Sequence, residues 1–235
     1  MSLPARQYRP VAPSPRELLD LLGAALVPPL CWSCRNPAPV RSPLCRSCER
    51  LLPWLDPEVP AGKVAAAGTR SKPLDRAWAP LSYEGVARDL VHALKFSAAS
   101  GVAPAMAQQA CDALPPRAFP AGARLVPVPA DGARLRRRGF DHAQALAVAL
   151  SGLTGLAVEA SLARDRALRG SQRGLGRQER LAGSGVAVRA RGPAPRECVL
   201  VDDVLTTGAT ACACAQALRG NGATSVFFVA YCRVL

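Results

Sequence analysis

The sequence has no run of about eighteen or more uncharged apolar residues, the length a membrane-spanning helix needs; its longest early apolar run, Leu18 to Leu30, is broken by Asp20. The start, Met1-Ser2-Leu3-Pro4-Ala5-Arg6, lacks the charged-then-apolar layout of a secretory signal. These two absences lead to the expectation of a cytoplasmic protein without a membrane span. Lysine is scarce. Only Lys63, Lys72 and Lys95 occur, so the net charge of +13 rests on arginine. Two readings fit that charge: a surface that binds nucleic-acid phosphates by counterion release, or the plain bias of a chain rich in Ala, Gly, Pro and Arg. Internal repeats are missing as well.

With 235 residues and 49% apolar content, the chain can form one substantial core plus a small appendage. Nine cysteines is an odd number, which argues against a disulfide framework. Four of them stand as Cys31-x-x-Cys34 and Cys45-x-x-Cys48, a spacing that lets two thiolate pairs converge on one tetrahedral zinc ion, with a redox pair or an iron–sulfur site as the alternatives. Pro37, Pro39 and Pro43 suit the tight return between the pairs. Four protein ligands leave no open position, so the expected role of the metal is structural. Cys111, Cys198, Cys212, Cys214 and Cys232 lie in apolar surroundings and read as small core residues. Around the knuckle, Trp32, Arg35, Arg41, Arg46 and Arg50 combine an aromatic ring with cations, the chemistry that holds single-stranded DNA. Trp32 fits equally well as a packing residue of a very small core.

The expected organisation is a proline-marked tail and short helix over 1–26, the four-cysteine knuckle over 27–60, a linker over 61–76 and an α/β domain over 77–235. The small residues Ala65 to Gly68, and already the run Pro53-Trp54-Leu55-Asp56-Pro57, have linker character. Strands are expected at Trp78 to Tyr83, Arg124 to Pro129, Cys198 to Val201 and Thr224 to Tyr231. Helices are expected at Val86 to Phe96, His142 to Leu150 and Ala211 to Arg219, the last stopped by Asn221-Gly222. Segment 163–185, rich in Arg and Gly, reads as a mobile polar loop. The last strand-loop-helix-strand unit should pair its strands in parallel.

Leu205-Thr206-Thr207-Gly208-Ala209-Thr210 stands where a strand of such a sheet passes into a helix. Gly208 lets backbone amides approach an anion, the threonine hydroxyls add donors, and the helix start adds positive potential. The loop suits a phosphate monoester. Asp202 and Asp203 just before it would repel a ligand that offered phosphate alone, so they call for hydroxyl donors or a bridged divalent cation. Phosphate at the loop and a diol at the acids describe a ribose 5-phosphate group. The alternative is that the two acids merely open a turn and cap the following helix.

The string Val199-Leu200-Val201-Asp202-Asp203-Val204-Leu205-Thr206-Thr207-Gly208-Ala209-Thr210 resembles the signature with which type I phosphoribosyltransferases bind 5-phosphoribosyl 1-pyrophosphate (PRPP). Ala93-Leu94-Lys95-Phe96, Leu125-Val126-Pro127-Val128-Pro129, Arg138-Gly139-Phe140-Asp141-His142-Ala143, Gln172 and Arg180, taken with the four cysteines, resemble the ComF family of competence-associated phosphoribosyltransferase-like proteins. The resemblance implies a type I phosphoribosyltransferase-like α/β fold, a parallel sheet flanked by helices, with a small N-terminal zinc module. It implies that Asp202 and Asp203 meet the ribose hydroxyls and that Thr206, Thr207, Gly208, Ala209 and Thr210 cradle the 5-phosphate. The loop after the Arg124 to Pro129 strand, Arg138 with Arg136 and Arg137, and Lys95 become candidates for the pyrophosphate, with Mg2+ accompanying PRPP. Lys95 also reads as a solvated helix-end lysine. His142 reads as a general acid or as a locally bonded helix-start residue. Arg169 and Gly183 depart from the family's threonine and asparagine. Arg164, Arg166, Arg173 and Arg177 could close on pyrophosphate, follow a nucleic-acid backbone or stay solvated.

Two functions follow from the resemblance. One is a PRPP-binding protein of natural competence that works with DNA-uptake proteins on imported single-stranded DNA. The other is an active phosphoribosyltransferase of nucleotide salvage with an unknown acceptor. No segment reads as a nucleobase pocket or an unambiguous general base, which favours the first.

Overall fold

The computed structural model describes residues 29–40, 42–60, 64, 73–96, 101–132, 135–136, 139–164 and 187–235. The expected tail and helix over 1–26, most of the linker, Arg137 and Arg138, and loop residues 165–185 lie outside these. In chain order the elements are α1 (Arg46–Arg50), β1 (Arg76–Trp78), β2 (Leu81–Ser82), α2 (Gly85–Phe96), α3 (Val102–Ala113), β3 (Arg124–Pro127), α4 (His142–Thr154), β4 (Leu162–Arg164), β5 (Val188–Ala190), β6 (Glu197–Leu205), α5 (Ala209–Arg219) and β7 (Ser225–Arg233).

β6 and β7 form the centre of a parallel sheet in the order β1-β7-β6-β3, with β2 continuing β1 along β7. The expected α/β class, a parallel sheet flanked by helices, is what the chain forms. Side chains of a strand alternate between faces, and here both faces are covered, which is why β6 reads as an unbroken apolar run before its two acids. Val199 and Val201 enter a core shared with α2, α3 and α4, whereas Cys198 and Leu200 enter a second core beneath α5. Cys198, Cys212, Cys214 and Cys232 are buried among these side chains and Cys111 is half-buried, as expected of small core residues.

Several elements differ from the sequence reading. The strand expected over Trp78 to Tyr83 is interrupted at Ala79-Pro80, because proline has no N–H to give to a ladder. Pro53 to Pro57, read as linker, runs antiparallel beside that strand: Trp54 bridges Leu81, Glu58 bridges Trp78, and Leu55 N–H donates to Pro80 O at 2.8 Å. Prolines are tolerated at such a sheet edge. α3 was not legible, since its buried face consists largely of alanines with Val102 and Met106; Tyr231 Oη ties it to β7 by donating to Gln109 Oε1 at 2.7 Å. Ala163 and Arg164, expected at the start of the mobile loop, belong to β4, which pairs antiparallel with β5. β6 runs four residues beyond Val201, so Asp202 and Asp203 lie in the strand itself.

The cysteine module does not hang free of the sheet. Cys31, Ala38, Leu44, Cys45, Cys48 and Leu52 share the core formed by α2 and its neighbours. Ser33 Oγ donates to Asp89 Oδ2 of α2 at 2.7 Å.

Leu200 has no exposed surface and lies at the middle of the central strand. Leu200→Ala is expected to cost about 2–5 kcal/mol through lost burial and the cavity left behind, read as a lower urea midpoint at unchanged denaturant slope.

Candidate functional site

The alternation that fills the two cores continues past Val201. Asp202 is in register with Ala230 of the α5-side core, and Asp203 points to the other face, towards α2 and α4. The two carboxylates therefore straddle the carboxyl end of the strand. Such an end, next to the start of a helix, is where open parallel sheets hold ligands.

On the α2 side, Lys95 from the last turn of α2 places Nζ 2.5 Å from Asp203 Oδ2. His142, the first residue of α4, brings Nε2 to 3.5 Å from Asp203 Oδ1. α4 is started by Asp141, whose carboxylate accepts the backbone N–H of Gln144 at 3.1 Å, which fixes where His142 enters. Asp203 is almost fully buried, with its side chain 5% exposed against 19% for Lys95. The pair is therefore shielded from solvent and salt. Asp202 Oδ1 accepts the backbone N–H of Asp203 at 2.9 Å. Burial first, and the charge of Asp203 second, push the Asp202 carboxyl well above the usual carboxylate range; the Asp203 amide and Lys95 oppose this.

These groups line a cavity of about 170 Å³ together with Pro129, Arg164 and Thr210. Arg164 is held by its Nε–H, which donates to Pro129 O at 2.9 Å. Thr206 and Thr207 are exposed at the adjoining turn, and Gly208 adopts φ 75°, a left-handed conformation that lets the chain turn directly into α5 at Ala209. Ala209 N–H donates to Thr207 Oγ1 at 3.4 Å. Of the residues singled out in the sequence, Lys95, Asp202, Asp203 and Thr210 meet in one cavity, and Thr206, Thr207, Gly208 and Ala209 form its neighbouring turn. Arg138 lies outside the described residues.

The sequence reading left His142 undecided between acid catalysis and local bonding, and Arg164 among several loop cations. The structure pairs His142, at the start of α4, with Asp203 of β6 and sets Arg164 at the cavity wall. The only available signal was the strand period, which sends Asp203 to the α2–α4 side.

The cysteine cluster is the second site. The Sγ atoms of Cys31, Cys34, Cys45 and Cys48 lie within 4.8 Å of one another, with Cys34 and Cys45 at 3.6 Å. Tetrahedral zinc with ~2.3 Å bonds to sulfur sets its sulfurs about 3.8 Å apart, so this geometry fits a structural metal ion such as zinc. The first knuckle turns at Arg35, in a left-handed conformation at φ 63°. The second opens α1, with Cys45 at its N-cap. Trp32 N–H donates to Pro43 O at 2.9 Å and joins the two halves. Burial works against the Cys31 thiolate, yet backbone amides of Cys34 and Cys45 bring it down to about 6; the Cys48 amide lowers Cys45, while burial and the neighbouring thiols push Cys48 up to about 12. The Arg35 guanidinium lies 5.5 Å from the centre of the Trp32 ring. Trp32 also packs against the core, as the packing reading of that residue expects.

Among the described residues no helix is long and apolar enough to cross a membrane. No protein-family model matches the chain. Curated relatives do. The DNA utilization protein YhgH of Salmonella typhi is 32% identical over 230 residues, spanning 89% of this chain and 99% of the relative. The protein of the same name from Escherichia coli strain K12 is 29% identical over 227 residues with the same coverage. Similarity of this extent runs through the knuckle and the sheet alike, and the chain belongs to the family of the DNA utilization proteins YhgH.

Proposed function

We propose that the chain binds PRPP or a related phosphorylated ribose at the end of β6 and acts, as a phosphoribosyltransferase-like protein of ComF type, in the uptake and handling of imported single-stranded DNA. The observation that carries the ligand is the juxtaposition of Asp202 and Asp203 with the Gly208 turn and the start of α5 on one cavity. Carboxylates accept from a vicinal diol, and the helix start with its threonines takes a phosphate. Domain limits are proposed at 27–60 for the knuckle and 77–235 for the phosphoribosyl domain. The DNA role is supported by the name shared by the relatives, DNA utilization protein, and by the exposed Arg35, Arg46 and Arg50 of the knuckle.

In this reading the chain's residues bind and orient. Asp203, fixed by Lys95 and His142, offers a charged acceptor to one ribose hydroxyl, and Asp202 serves the next. Arg164, held at Pro129 O, faces the cavity as a partner for the pyrophosphate end; Arg138 stays a candidate from the sequence alone. Mg2+ belongs with the pyrophosphate of the ligand, because the oxygens of Asp203 already face the Lys95 ammonium and the His142 ring. Zinc in the knuckle would stiffen the corner that α2 packs against and supply no reaction step.

Calorimetric titration of PRPP with Mg2+ should show binding to the native chain and none to Asp202→Ala/Asp203→Ala; absence of binding to the native chain would refute the pocket. Single-stranded DNA should bind with a salt dependence whose logarithmic slope falls by about 2 when Arg35, Arg46 and Arg50 are all replaced by Ala, since each lost phosphate contact is worth about 0.7. An unchanged slope would place DNA elsewhere. Metal analysis should find one zinc per chain, and Cys48→Ser should lose the metal and lower the melting temperature by several degrees, the loss expected of roughly 1–2 kcal/mol or more.

A further inference from the structure

We propose that Lys95 is the resident cation of the carboxylate pair, doing at Asp203 what a divalent metal ion would otherwise do, so that a ribose 5-phosphate group binds there without a metal. The inference rests on the phosphoribosyl reading of the cavity and names how that site is charged.

Asp202, Asp203 and His142 offer ligand atoms that all lie within 4.8 Å of one another, a nitrogen and two carboxylates of the kind that hold first-row divalent ions. An ion in that place needs Asp203. One oxygen of Asp203 has the Lys95 ammonium at 2.5 Å and the other faces His142 Nε2 at 3.5 Å. Mg2+ demands near-octahedral oxygen ligation at about 2.0–2.1 Å, so it would have to displace the ammonium from a carboxylate that is 5% exposed.

Lys95 is held in place by its surroundings. It sits on the last turn of α2, where the helix dipole favours a cation. Leu90, Val91 and Leu94 fix that helix in the core, and Asp89 ties it to the knuckle through Ser33. A tethered ammonium delivered by a packed helix has little freedom to leave. Among the described residues around the cavity, Lys95 and Arg164 are the cations and Asp131, Asp202 and Asp203 the acids, with burial favouring the neutral form of Asp202. With Asp202 neutral these charges balance, and the positive start of α5 takes a phosphate dianion at the Gly208 turn without a neutralising metal ion.

The test uses the full zinc-loaded chain at fixed pH. With Mn2+ alone as probe, Lys95→Met should bind the ion at least about tenfold more tightly than the native chain, Lys95→Arg should behave as native, and adding Asp203→Asn to Lys95→Met should abolish the gain. With ribose 5-phosphate as probe, the native chain should bind equally, within about twofold, with and without added Mg2+, whereas Lys95→Met should need the metal. Native Mn2+ affinity equal to that of Lys95→Met, or native ribose 5-phosphate binding that collapses without Mg2+, overturns the proposal. If no variant binds ribose 5-phosphate under any condition, the ligand reading falls, and the Mn2+ comparison by itself upholds or overturns the assignment of Lys95.

Discussion

The two-residue period of β6 governs the rest of the molecule. Because both faces of the sheet are covered, the strand must send apolar side chains alternately to two cores, and the same period, carried past Val201, sends two adjacent aspartates in opposite directions. A carboxylate delivered to the α2 side meets Lys95 and His142. The other is delivered to the side of α5. A shift of one residue in the pairing of β6 with β7 would exchange every one of these roles at once.

An ion pair buried as deeply as Lys95 and Asp203 adds little net stability, because the cost of desolvating two charges offsets most of their attraction. Its consequence is positional. It fixes one acid in one orientation, while burial lifts the carboxyl of the neighbouring Asp202. Two carboxylates side by side thus become two unlike groups.

The knuckle belongs to this arrangement more closely than its distance along the chain suggests. It shares a core with α2, and the Ser33–Asp89 bond lies on the helix whose last turn carries Lys95. Trp32 shows how one residue serves two ends: it packs on the core and offers its ring to Arg35 at the surface. A metal ion held by the cysteine cluster would therefore also stiffen the support of the cavity.

Local chemistry was legible in the sequence wherever it depended on neighbours along the chain. The Cys-x-x-Cys pairs, the apolar run ending in Asp202-Asp203, the Gly208 turn and the helix after it each declare themselves within a dozen residues, and with them the α/β class. α3 stayed hidden because an alanine face has weak hydrophobic contrast, and the strand-like run at Trp54 to Val59 because its prolines have the same appearance in a linker as on a sheet edge. Only the tertiary structure decided that Lys95, His142 and Arg164, from two helices and a short strand, converge on those acids. Such partners lie some forty to more than one hundred residues away, and no local propensity specifies them; they are chosen by how helices pack on a sheet and where each one ends.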